Sequence, residues 1–195
     1  MTSTMRPIAV ATAAFAVFLA LGLAGAAQTS GSPERFTALA VNMDRGGTAS
    51  IEIAVNRWST DAERDKLLNV LMEKGPEKLL DVLQDMPRVG YFRNVQSIGY
   101  DIHYARHNPL PEGGERVVLA TDRRIGFWEA ANQPRSIDYP FTVIELHLNK
   151  DGEGEGKMSV ATKIIADKEN KIVTLENYAT SPVLLQGVKR EKSSH

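Results

Sequence analysis

Thr48-Ala49-Ser50-Ile51-Glu52-Ile53-Ala54-Val55-Asn56-Arg57-Trp58-Ser59-Thr60-Asp61-Ala62-Glu63-Arg64-Asp65-Lys66-Leu67-Leu68 changes period half-way, and that change decides the fold class. In the first half Ile51, Ile53, Val55 and Arg57 fall on one side, with Glu52, Ala54 and Asn56 on the other. Strict alternation is the mark of a β-strand. After Trp58 the period becomes helical. Thr60-Asp61-Ala62-Glu63 is a capping box, in which the threonine hydroxyl accepts from the glutamate N–H and the glutamate reaches back. Leu67, Leu68, Leu71 and Met72 then recur at helical spacing. Lys74-Gly75 ends this helix, Pro76 suits the first turn of another, and Pro87 stops that one after Leu79, Leu80, Val82, Leu83 and Met86. The reading is a helical pair over 61–74 and 76–86, whose apolar stripe covers one face or mouth of a sheet.

Upstream, Phe36–Met43 reads as a strand joined to Thr48–Trp58 through the glycine turn Asp44–Gly47. Downstream, a strand broken near Gln96-Ser97 runs over 89–106, followed by Arg116–Thr121 and Tyr139–Asn149. Lys150–Gly156 reads as a glycine-acid loop, and Lys157–Ala166, Lys171–Tyr178 and Val183–Lys189 complete the set. The expectation is a mainly β (α+β) chain: an eight-stranded antiparallel curved sheet or up-and-down barrel, with a two-helix insertion between strands 2 and 3. Short sequential turns favour antiparallel neighbours, and eight such strands must curl to dispose of their edges. The layout resembles the small ligand-binding barrels of the lipocalin type in fold alone, because no Gly-x-Trp motif lies near the start of the mature chain.

The first 27 residues read as a secretory signal: Arg6, an apolar run Ile8–Leu23, then Ala24-Gly25-Ala26. The run has 16 residues, short of the roughly 20 a spanning helix needs. Residues 28–34 read as a flexible linker, 35–190 as one β-rich domain and 191–195 as a frayed tail. The protein is therefore expected in the periplasm or outside the cell, with no stable membrane insertion after cleavage. Removing Arg6 leaves 22 basic residues against 24 acidic ones, a net of −2. That balance offers no footprint for nucleic acid. The absence of cysteine excludes disulfides, thiolate chemistry and cysteine zinc sites.

No catalytic motif is present and no cofactor is implied. Two acid–histidine pairs stand out: Asp101/His103 and Glu145/His147, each spaced i, i+2 on a strand. Were they brought together, two imidazoles and two carboxylates could hold zinc or iron, or act as an acid–base pair. The simpler reading puts each pair on a solvated sheet face. The connection Asp122–Phe141 is long for a compact domain, and long connections are commonly functional. In it Trp128 offers a ring, while Arg124 and Arg135 can grip a carboxylate or phosphate. Tyr100 and Tyr104 alternate with Ile102 on one strand face and would line the same cavity. The function expected is binding of a small apolar or amphipathic molecule at Trp128, Arg124, Arg135, Tyr100 and Tyr104. The alternatives are a metal-dependent or hydrolytic enzyme using His103 and His147, and an envelope interaction module with an apolar patch on the helical pair.

Overall fold

The computed structural model describes residues 31–42, 47–75, 78–94, 99–123, 141–160, 162–167, 172–177 and 183–191. The stretch over 1–27 that reads as a signal, the turn over 44–46, Pro76, the tail over 192–195, and Arg124, Trp128 and Arg135 lie outside these residues.

The chain folds into a closed antiparallel barrel of eight strands. These are β1 (Glu34–Asn42), β2 (Gly47–Val55), β3 (Gly90–Asn94), β4 (Tyr100–Pro109), β5 (Glu115–Thr121), β6 (Thr142–Leu148), β7 (Glu153–Val160) and β10 (Val183–Arg190). Each pairs with its neighbour in sequence among the barrel strands, and β10 closes the ring on β1. Between β7 and β10 the chain leaves the wall to make a separate two-stranded sheet, β8 (Thr162–Asp167) with β9 (Ile172–Asn177). Lys157–Ala166, read as one strand, is thus two strands in different sheets. Conversely, 89–106 supplies two barrel strands, so the wall still numbers eight.

The helical pair sits where the period change puts it. Helix α1 spans Asp61–Lys74 and α2 spans Leu79–Asp85. The capping box forms, with Glu63 N–H donating to Thr60 Oγ1 at 3.2 Å and Thr60 N–H to Glu63 Oε2 at 2.8 Å. Arg57 holds the same carboxylate at 2.7 Å, which drives the Glu63 carboxyl below its ordinary range despite partial burial. Ser59 fastens the turn into α1 onto the barrel, through its N–H to the Ala105 carbonyl and its Oγ from the Ala105 N–H. The helices lie on the outside of β4, β5 and β6. Leu71, Leu79, Leu83 and Met86 pack there against Tyr104, Ala120 and Phe141.

Inside the barrel, alternate residues of every strand interdigitate. Phe36, Phe92, Ile102, Leu119, Ile144, Leu146, Met158 and Leu185 have no accessible surface. A side chain lining a void wide enough for one water keeps some accessible area, so this middle section is packed solid. Eight strands make an interior just wide enough for such filling. Gly156 shows how tight it is: an added Cβ would lie 2.7 Å from Leu146 Cδ2. The Gly/Glu repeat read as a loop is in fact the start of β7. Its period of two puts Gly154 and Gly156 on the crowded side and Glu153 and Glu155 outside.

Two bulges change the pattern of facing. In β4 the register slips between Ile102 and Tyr104, around His103. Ile102 and Ala105 therefore both face inward, whereas Tyr104 turns out beneath the helices. In β10 the slip between Leu185 and Val188 turns Val188 inward. The same parity carries Arg190 onto the inner side at the strand end.

Candidate functional site

A solid middle leaves the two ends of the barrel as places for chemistry. At one end four ionisable side chains from four strands converge on the inner side: Glu34 of β1, His107 of β4, Glu115 of β5 and Arg190 of β10. Arg190 Nε lies 2.8 Å from Glu34 Oε2, and its Nη2 contacts Glu115 Oε1. The other oxygen of Glu115 meets His107 Nδ1 at 3.0 Å. Below them Phe36 lies 5.5 Å under the Arg190 guanidinium, and Trp58 stacks on His107 with ring centroids 4.5 Å apart. Gly31 passes so close that a Cβ on it would sit 2.8 Å from Trp58 Cδ1. This end is plugged by paired charges over aromatics, with the chain entering β1 laid across the indole. Burial pushes the His107 imidazole below its ordinary value; Glu34 opposes this, and Arg190 and Arg106 add to it. The cluster was missed in the sequence because positions 34, 107, 115 and 190 share no local motif. The available signal was parity: Glu34 and Glu115 alternate in phase with Phe36 and Val117, on the core side of their strands.

At the other end Tyr100, half-buried, sits on the inner rim beside Phe92, with ring centroids 6.5 Å apart. The Arg123 guanidinium lies over its ring at 5.5 Å. Here β5 ends and the connection to β6 begins. Thr121 ties the two ends of that connection together, its hydroxyl donating to the Arg123 carbonyl at 2.5 Å and accepting from the Thr142 N–H at 2.9 Å. The bulge turns His103 to the outer side of the wall, under the end of α2. Its Nδ1 lies 2.7 Å from the Met86 carbonyl, and its Nε2 lies 3.7 Å from Asp122 Oδ2. The other Asp122 oxygen, Oδ1, is buried and has no hydrogen bond.

The residues singled out in the sequence separate. Glu145 and His147 do meet, at 2.8 Å on the outer wall, where Arg116 lies 3.8 Å from the same Glu145 oxygen. Asp101 instead pairs with Arg88 at 3.0 Å, and His103 turns to Met86 and Asp122. The distance between the histidines follows from register. Ile102, next to His103, pairs with Thr121 of β5, whereas His147 pairs with Arg116. Five residues of strand at about 3.3 Å each put them roughly 16 Å apart along β5. Among the described residues no group of three His, Cys, Asp or Glu is arranged to hold a metal. Of the two tyrosines, Tyr100 stays at the rim. Tyr104, expected on the same face, lies outside the wall because of the bulge, and burial raises its phenol to about 12. Leu39 is the one large hydrophobic in the exposed range among the described residues, and on the helical pair Leu67, Leu68, Val70, Met72, Leu80 and Val82 are partly buried.

No protein-family model, curated protein or solved structure matches this chain.

Proposed function

We propose that the protein is an exported, non-enzymatic binder of a small apolar or amphipathic molecule, taken at the Tyr100 rim rather than in the middle of the barrel. The observation that carries this reading is Tyr100 itself: a half-buried aromatic on the inner rim with the Arg123 guanidinium across its face. A ring and a cation at the mouth of a narrow barrel are the means by which such folds hold an apolar body and a polar head. The packed interior confines the ligand to this mouth. Export rests on the signal-like first 27 residues. The outer wall supports a water-surrounded barrel, since its outward positions include Arg35, Glu52, Arg93, Arg116 and His147 rather than an apolar band.

The test is a calorimetric titration of the full chain with decanol and decylamine below their micellar concentrations. Saturable 1:1 binding is expected, weakened about tenfold in Tyr100→Ala, the size of losing one aromatic contact. Absence of saturable binding by either molecule ends the reading.

A further inference from the structure

The barrel mouth at Tyr100 is electrically one-sided. Strand parity puts Ala40, Ala49, Asn94, Thr121, Thr142 and Val183 on the inner side toward this end, and none of them carries a charge. Among the described residues the one formal charge that reaches the inner rim is Arg123, whose guanidinium carbon lies 5.5 Å from the centre of the Tyr100 ring. A guanidinium stays protonated at any ordinary pH, and its charge is felt more strongly beside an apolar surface than in open water. It carries five N–H donors. Among the described residues none of them makes a hydrogen bond, and the side chain is largely exposed. The acid beside it, Asp122, approaches on the Nε side at 4.0 Å, too far for a hydrogen bond. The second Asp122 oxygen faces His103 on the outer side of the wall. Both Nη groups are thus open to an incoming partner.

We propose that the mouth selects amphiphiles with an anionic head, a carboxylate above all, and that Arg123 holds that head. This deepens the binding function and rests on it. A carboxylate accepts two parallel N–H bonds from the Nη edge of one guanidinium and cancels its charge. An alcohol accepts one such bond and leaves the charge standing. An ammonium offers no acceptor and is repelled. The alkyl body lies along the half-buried Tyr100 ring, because the packed middle of the barrel leaves it no deeper course. The ring that seats the guanidinium therefore also seats the apolar part, and the two fix the head at one distance from the body.

The experiment titrates the full chain at pH 7 with decanoate, decanol, decylamine and acetate, each below its micellar concentration, and reads the ratios of their dissociation constants. Decanoate is expected to bind about tenfold more tightly than decanol, the size of one charge-assisted hydrogen-bonded contact, with decylamine the weakest of the three. Acetate, which has the head without the body, should show no saturable binding at the concentrations that saturate with decanoate. In Arg123→Gln the decanoate-to-decanol ratio should fall to about one, and Arg123→Lys, which keeps the charge and loses the fork, should restore part of it. Equal binding of decanoate and decanol by the parent overturns the anionic subsite while the binder stands, as does a preference for decylamine. A ratio that stays near tenfold in Arg123→Gln removes Arg123 as the holder and overturns the proposal. Acetate binding as tightly as decanoate also overturns it, because the site then takes small anions and not amphiphiles. If none of the four binds, the binding function itself fails.

Discussion

The two ends of the barrel are built from similar parts and finished differently. Each has a histidine, a carboxylate, an arginine and an aromatic ring. At the plugged end Arg190 reaches both Glu34 and Glu115, and His107 Nδ1 meets the remaining Glu115 oxygen at 3.0 Å. At the other end Arg123 turns toward the Tyr100 ring, and His103 Nε2 and Asp122 Oδ2 stand 3.7 Å apart. The first arrangement draws its charges together at about 3 Å and ties four strand ends to one another, which serves the fold. The second keeps its charges 3.7–4.0 Å apart and leaves the Tyr100 ring half-buried at the mouth.

The comparison can be broken most forcefully at Trp58. Fully buried between Gly31 and His107, it carries the plug, and Trp58→Ala should cost about 3–5 kcal/mol in urea unfolding. A loss under about 1 kcal/mol would mean the plug is not structural. Arg190→Met comes next. It strands two carboxylates around an apolar stem, and because the groups are partly exposed the loss should be about 1–3 kcal/mol. A variant as stable as the parent would show the charges to be ornamental.

Acid should act on the plugged end as well. Burial lowers the folded His107 value below the 6.5 of the free imidazole, so the unfolded chain takes up the proton first. The stability that neutral His107 contributes is complete above pH 6.5 and is lost as pH falls through the folded value. Midpoints of urea unfolding between pH 7 and pH 5 should therefore fall, and His107→Gln should flatten that limb. An identical slope in the variant would remove His107 from the account. The smallest effect is expected at the other end: Asp122→Asn should change stability by no more than about 0.5 kcal/mol in either direction, since the carboxylate's charge contacts lie at 3.7–4.0 Å. A loss comparable to that of Arg190→Met would make both ends structural and erase the distinction.

Much of the wall was readable from residues alone. The alternation of Ile51, Ile53 and Val55, the Thr60–Glu63 box and the leucine stripe each express a local rule, and each element formed where its rule put it. The facing of Tyr104 was not readable. A bulge is a mismatch between two strands, and nothing within Tyr100–Arg106 says that Thr121 pairs with Ile102 while Ala120 pairs with Tyr104. The departure of β8 and β9 from the wall was hidden for the same reason: Lys157–Ala166 is locally continuous in character, and its division depends on partners elsewhere. His103 was singled out as a metal ligand beside His147. Its real neighbours, Met86 and Asp122, come from the end of a helix and the end of another strand, and sequence spacing cannot join these.

The closure of β10 on β1 has a consequence for how the chain comes to be folded. The last wall strand pairs with the first, and the Glu191 N–H reaches the Arg35 carbonyl at 2.8 Å, so the two ends of the barrel domain lie side by side. Until β10 is delivered, β1 and β7 both present bare edges. During synthesis the chain is thus an open ribbon, and it becomes a ring in one late step. The same adjacency makes the opening arbitrary: a short linker from Glu191 to Glu34 would let new termini be cut in the Leu110–Gly114 turn, with the ring closing there instead.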